Sequence, residues 1–378
     1  LGKKILKMRF LTPLILLCTI GLSSASTPSS WNWHQQFPWV YSDAESDWHY
    51  WHAGTDGKFY LWKSKEKTWY LFDSTYSKWI STVYSSTNSS DKDDSGWDWS
   101  KDDSKGDSST DASTSLSLSH GGLTRTYLLY VPSSYDGKTQ LPLLFNFHGF
   151  GGTSSGHMYA SDMRSLADQE NFILVYPQGS SLDGYSHWNA ALAGGDNKSV
   201  ADDVGFFEAM ITSISSSYQV DPNRIYACGY SNGGFFSYFL AGQKSDVVAA
   251  VGSVSGTMLD GNPTPANPVP TINLHGTSDS TVPYTGNSSY TAIPSVASYW
   301  ASQNGAGASP VTTNLSSGST SVEKSTYSDT NGTVWVEHYK VVGGGHVWLD
   351  LDINGSNTNQ LIWDFFKRHA LNGPRSSP

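Results

Sequence analysis

The sequence predicts an α/β protein: a mostly parallel central sheet with helices on both faces and no helical cap, preceded by a small aromatic-rich β module. Three observations carry this. From residue 119 onward, short apolar runs alternate with amphipathic stretches, the pattern of strands joined by helical crossovers. The pentapeptide Gly229-Tyr230-Ser231-Asn232-Gly233 stands between a strand-like run, 224–228, and a helix-like one, 234–241. Residues 31–80 hold eight of the 15 tryptophans and five tyrosines, a composition unlike the rest of the chain.

Taken in order, residues 1–25 open with Lys3, Lys4, Lys7 and Arg9, run through an apolar stretch from Phe10 to Leu22 and end in Ser23-Ser24-Ala25. That is the layout of a secretory signal peptide cleaved after Ala25, and the apolar run is too short to span a bilayer. Cys18 follows Leu17, where a lipid-attachment signal needs a small residue, so no lipoprotein is expected. Residues 31–84 read as a degenerate repeat of aromatic β-hairpins, with strand-like runs at 37–41, 47–51, 58–62 and 68–72. The aromatics there suit either a platform that stacks sugars or a polymer surface, or the core that a tiny disulfide-free domain requires. Residues 85–118 are built from Ser, Asp, Thr, Lys and Gly; they bury too little to fold and are expected to be a disordered linker. Their acid spacing does not fit a calcium loop.

The domain at 119–371 is expected to contain strands at 124–131, 143–147, 172–176, 224–228, 248–255, 271–274 and 334–342. Helices are expected at 161–170, 203–218, 231–241, 293–304 and 360–369. Only a Pro-rich stretch, 259–270, separates the strand ending at Ser255 from the one starting at Thr271. That leaves no room for a helical cap, so the site should be open.

A strand–turn–helix around G-x-S-x-G is a nucleophile elbow, which holds the serine in a strained turn above the sheet. The flanking glycines are needed because side chains there would collide with the neighbouring strand and helix. Ser231 therefore requires a base and an acid following it in the order Asp/Glu, His. Asp279 lies in the loop after the strand 271–274, and His346 in a turn after three glycines, Gly343 to Gly345. The expected roles are proton transfer by His346 and orientation of its imidazole by Asp279. Asp260 also follows a strand and is the rival acid. Asp350 and Asp352 lie too close to His346 in sequence. His275 precedes Asp279 and is expected to brace that loop, and His338 to be solvent-facing or packed within its strand. The developing oxyanion needs donors. The backbone N–H of Asn232 is one; the other is expected from the loop after strand 143–147, at Phe150, with Gly151 as fallback. His148 is expected to brace that loop.

The stretches HGFGG (148–152), YPQG (176–179), WN (188–189), DDVGF (202–206), GYSNGG (229–234), HGTSDSTVPY (275–284) and GGGHVW (343–348) carry a resemblance. Over about residues 116–371 the chain resembles secreted α/β-hydrolase esterases related to polyhydroxybutyrate depolymerases and feruloyl or acetylxylan esterases. The resemblance implies the same triad, Ser231, Asp279 and His346, and a structural task for Asp202 and Asp203 in opening a helix. The chain departs from the family in carrying Phe150 where members often have cysteine, and Leu349 where they often have proline. The first departure alters the wall of the site.

Composition agrees with that reading. Loss of residues 1–25 would remove four basic side chains and no acidic ones, taking the formal charge from −10 to −14. An acidic chain without a basic cluster is not expected to bind nucleic acid or an anionic membrane. Cys228 would then be the single cysteine, so no intrachain disulfide is expected. The sequence thus points to a secreted, monomeric serine esterase with no metal or organic cofactor. Its expected partner is a polymeric ester: feruloyl or acetyl groups on polysaccharide, or alternatively a polyhydroxyalkanoate or other polyester. A serine peptidase and a non-catalytic carbohydrate-binding protein on a hydrolase scaffold are the alternatives from other classes. Trp188, Tyr230 and Trp348 are the expected substrate contacts; Trp188 would stack an aromatic acyl group or else bury its own loop.

Overall fold

A computed structural model describes residues 113–192, 197–259 and 261–375, together with six strands between residues 31 and 81. The expected signal peptide, all but the end of the expected linker, and Asp260 lie outside the described residues. The chain divides into two units, Leu1–Ser104 and Lys105–Pro378.

In the first unit, β1 (Trp31–Trp33), β2 (Trp39–Ser42), β3 (Asp47–Ala53), β4 (Phe59–Lys63), β5 (Thr68–Asp73) and β6 (Lys78–Ser81) form one sheet in sequence order. Every neighbouring pair is antiparallel, so this is a meander. Its register sets Trp62 opposite both Tyr50 and Trp69.

The second unit is built on a ten-stranded sheet. Its elements are β7 (Thr114–His120), β8 (Leu123–Tyr130), β9 (Leu141–Phe147), α1 (Ser154–Ala160), α2 (Arg164–Glu170), β10 (Ile173–Pro177), the hairpin β11 (Ser180–Leu182) and β12 (Tyr185–His187), α3 (Asp203–Ser215), β13 (Val220–Tyr230), α4 (Asn232–Gln243), β14 (Ala250–Val254), β15 (Thr271–Gly276), α5 (Ile293–Gln303), β16 (Val311–Ser317), β17 (Thr320–Ser328), β18 (Val334–Val341) and α6 (Thr358–Phe366), followed by short terminal strands. The sheet order is β16-β17-β18-β15-β14-β13-β9-β10-β8-β7. The six central strands are parallel, and an antiparallel pair closes each edge. This is an α/β-hydrolase sheet, and no helix lies between β14 and β15 among the described residues.

The central strands are apolar on both faces because helices cover both. On β9, Leu143, Phe145 and Phe147 enter one core cluster, whereas Leu144 enters the other. That alternation is the two-residue period of a strand buried from both sides. Asp202 caps α3 by accepting the Gly205 N–H at 2.8 Å. Asp203 is buried and pairs with Arg125 at 2.7 Å, so DDVGF opens a helix and anchors it to β8.

One boundary is corrected and one hairpin is added. The segment 114–118, expected as linker, belongs to β7, where Leu116 and Leu118 alternate with serines and pack on the core. The hairpin β16–β17 was not expected, because its solvent-side Thr, Ser and Asn residues hide its period. Among the described residues no helix is long and apolar enough to cross a membrane.

Candidate active site

Ser231 sits alone between the end of β13 and the start of α4, at φ 51° and ψ −119°. A non-glycine residue in that region costs about 1–3 kcal/mol and persists only where its surroundings enforce it. They do so here. The Ser231 N–H donates to the Val254 carbonyl at 2.9 Å, and the Ser231 carbonyl accepts from Phe235 N–H at 3.0 Å. A Cβ on Gly229 would lie 2.5 Å from the Gly233 carbonyl carbon, and one on Gly233 would enter the Phe147 carbonyl. Only glycine lets the first turn of α4 press against β13 and β9.

His346 reaches Ser231 from the loop after β18. Its Nε2 lies 2.9 Å from Ser231 Oγ and its Nδ1 lies 2.8 Å from Asp279 Oδ2. An Nδ1–H held by the carboxylate leaves Nε2 as acceptor for the serine hydroxyl. The loop is pinned from below by Tyr230, whose hydroxyl donates to the His346 carbonyl at 2.8 Å. Ser255 Oγ donates to the Val347 carbonyl at 2.8 Å. Asp279 Oδ1 accepts the N–H groups of Thr281 and Val282 at 2.9 and 2.8 Å. Burial pushes the Asp279 carboxyl up, but hydrogen bonds from His275, His346 and Val282 outweigh it and hold the group well below the usual carboxylate range.

The competing residues are occupied elsewhere. His275 Nε2 lies 2.9 Å from the Val282 carbonyl and 3.3 Å from Asp279 Oδ2, so it braces the acid's loop. His338 is buried, with Asn273 on one ring nitrogen and the Tyr284 hydroxyl on the other. Burial pushes its pKa down to about 3.

On the other side of Ser231, Gly149 packs so close that a Cβ there would lie 2.8 Å from the Tyr230 ring and 3.3 Å from Ser231 Cβ. The next amide, Phe150, has no acceptor among the described residues. The Asn232 amide is the first of α4 and has no intrahelical acceptor. Gly151 N–H is already bonded to the Ser186 carbonyl at 2.7 Å, which removes the fallback donor. His148 holds this loop as expected: Nδ1 donates to the Gly149 carbonyl at 2.7 Å, and Nε2 accepts from Gly179 N–H at 2.9 Å. Burial pushes its pKa down to about 4, which keeps that acceptor unprotonated near neutrality.

One expected substrate contact, Trp188, is corrected. Trp188 is 1% exposed; its Nε1–H donates to the His148 carbonyl at 3.0 Å and its ring stacks on Phe236 at 5.3 Å. It buries its loop and supports the Gly149–Phe150 turn from beneath, leaving no ring face for an acyl group. Trp348 is bonded to Asn359 at 3.1 Å and packs edge-on to His157 at 5.3 Å, against the core cluster that holds α6. Tyr230 does stand at the site, its ring 5.1 Å from the His346 imidazole. One residue was underread. The Asn232 side chain clamps the Trp188 backbone, accepting its N–H at 2.7 Å and donating to its carbonyl at 3.0 Å. An amide side chain directly after the serine, with both a donor and an acceptor, was the available signal.

A family model described as Esterase PHB depolymerase matches residues 125–295. That match covers 171 of the 378 residues, and over it the chain is similar to this esterase family. Feruloyl esterase B of Piromyces equi is 30% identical over 261 residues, 65% of this chain and 46% of that protein. A bifunctional acetylxylan esterase/xylanase of Neocallimastix patriciarum is 27% identical over 256 residues, 68% of this chain and 35% of that protein. The chain therefore spans less than half the length of these two relatives. In fold, the second unit is similar to the acetyl xylan esterase from Aspergillus awamori, with a TM-score of 0.51 at 16% identity, covering 67% of this chain and 99% of that one. All three glycine-rich stretches, 148–152, 229–234 and 343–345, lie where strands end at the same edge of the ten-stranded sheet.

Proposed function

We propose that the protein is a serine esterase that hydrolyses carboxylic esters on polysaccharide through an acyl-enzyme. The observation that carries this is the hydrogen-bonded chain Asp279–His346–Ser231, ending on a serine in a strained turn. Ser231 Oγ attacks the ester carbonyl carbon while His346 Nε2 takes its proton. The carbonyl oxygen becomes an oxyanion facing the amides of Phe150 and Asn232, a kind of contact worth about 3–4 kcal/mol of barrier. The intermediate collapses, the C–O bond to the alcohol breaks, and His346 returns the proton to the leaving oxygen. Water, deprotonated by the same imidazole, then releases the acid and restores Ser231. Asp279, with both oxygens held, keeps the imidazole in one tautomer throughout.

The relatives' names, feruloyl esterase and acetylxylan esterase, support ester groups on plant polysaccharide as the substrate class. The name of the family model supports a second reading, depolymerisation of polyhydroxybutyrate. The basic and apolar opening of the chain supports export, and the aromatic meander supports a module of its own, joined to the esterase domain by a polar linker that holds the enzyme near an insoluble substrate. The test is a hydrolysis panel of methyl ferulate, acetylated xylan, nitrophenyl acetate and polyhydroxybutyrate. The polysaccharide-ester reading expects turnover of one of the first two above that of polyhydroxybutyrate. The reverse order makes the protein a polyester depolymerase, and turnover of none removes the esterase reading.

A further inference from the structure

Large aromatic rings left in water beside a reacting centre mark a contact surface. Phe150 is 50% exposed and Tyr185 60% exposed. Their rings lie nearly parallel, 13° between planes and 5.6 Å between centroids. The arrangement is built by the backbone. Gly151 N–H donates to the Ser186 carbonyl at 2.7 Å, and the Ser186 hydroxyl donates to the Gly152 carbonyl. Asp183 and Gly184 both take positive φ, 52° and 84°, so β11 and β12 are joined by a tight two-residue turn of the primed type. Leu182, 45% exposed, pairs directly with Tyr185 and so shares its face of the hairpin. The surface begins at the site itself, because Phe150 follows the glycine that packs on Ser231.

The sheet order puts this surface and the catalytic imidazole on opposite sides of β13. β15 and β18 deliver Asp279 and His346 on one side of β13; β9 delivers Phe150 on the other, next to β10, which leads into the hairpin. The leaving alcohol must depart beside the imidazole that protonates it. The oxyanion faces the Phe150 amide, and the acyl group, turned away from the imidazole, is the substituent left to meet the rings of Phe150 and Tyr185. An acetyl group ends one carbon from the reacting centre and offers no ring face to the pair, whereas a planar aromatic acyl group offers a face that continues the stack.

We infer that Phe150 and Tyr185 form an acyl subsite for planar aromatic acids of the hydroxycinnamoyl class, making them the residues that set aromatic over acetyl specificity. This rests on Ser231 and His346 acting as nucleophile and base. The test compares two esters with one leaving group, nitrophenyl ferulate and nitrophenyl acetate, on the wild-type chain, Tyr185→Ala and Phe150→Leu. The second variant keeps the backbone N–H at residue 150. Each substitution is expected to lower the ferulate-to-acetate ratio of kcat/KM about tenfold, the value of one aromatic stacking contact, and Tyr185→Phe to preserve it. An unchanged ratio in an active enzyme overturns the subsite alone. Selective loss on acetylated xylo-oligosaccharide relative to nitrophenyl acetate puts the rings on the alcohol side and also overturns it. A wild-type protein that hydrolyses neither nitrophenyl ester overturns the esterase reading, and the subsite with it.

Discussion

The strand ends that carry Ser231, Asp279 and His346 differ in kind from the hairpin 180–187 beside them. In the first region each group is fixed by several partners, and side chains are excluded by backbone contact at Gly229 and Gly233. In the second, Tyr185 and Leu182 stand in water on a pair of three-residue strands, with the exposed Phe150 ring stacked on Tyr185. Reaction chemistry requires atoms held within a few tenths of an ångström, so it is built into backbone geometry. Substrate preference requires only a surface of the right shape, so it is carried by side chains that can change without disturbing the fold.

The largest effect that could break this contrast is at the nucleophile. Ser231→Ala is expected to lower turnover of a soluble nitrophenyl ester about a million-fold, with an unaltered circular dichroism spectrum. Near wild-type turnover in a folded variant would move the chemistry elsewhere. Asp279→Asn is expected to cost about ten-thousand-fold by releasing the imidazole tautomer. Full activity in that variant, with loss in Asp260→Asn, would transfer the acid's role.

How much of this was legible follows the same division. Ser231, Asp279 and His346 could be placed because an elbow needs glycines at fixed positions and each partner follows its own strand. The roles of His148 and His275 as braces followed from their positions at strand ends. Trp188 was misassigned because sequence does not say which way a loop tryptophan turns, and a ring that fills the space under the oxyanion loop has the same signature as one facing substrate. The β7 strand was hidden in a serine-rich segment, where only Leu116 and Leu118 mark its buried side. The β11–β12 hairpin did have a signal, Asp183-Gly184 between short runs, the strongest short-range turn pair. Tyr185 itself had none.

Smaller effects sharpen the account. His148 is held by burial at a pKa of about 4, and His157, His338 and His369 by burial at about 3, against about 6.5 in an unfolded chain. Each binds its proton more tightly when unfolded. Their contribution is therefore complete above about pH 6.5 and is lost as pH falls, by about 2 kcal/mol per histidine at pH 5. Urea midpoints should drop steeply between pH 7 and pH 5, and a flat profile would contradict their neutral burial. Asn232→Ala removes both bonds to the Trp188 backbone and should destabilise the fold by about 1–3 kcal/mol, read from the same titration. The smallest effect belongs to the N-terminal unit. A chain beginning at residue 113 should hydrolyse soluble esters at the full-length rate, whereas one beginning at residue 119 loses most of β7 and should melt lower. Loss of adsorption to insoluble xylan or polyester in the first truncation would assign polymer binding to the meander; unchanged adsorption would leave it a spacer.

The most direct measurement is the intact mass and peptide map of the protein acid-quenched during turnover of nitrophenyl ferulate. The account predicts a single feruloyl adduct on the peptide containing Ser231 in the wild-type chain and no adduct in Ser231→Ala. An adduct on another residue, or turnover by Ser231→Ala at the wild-type rate, would contradict it.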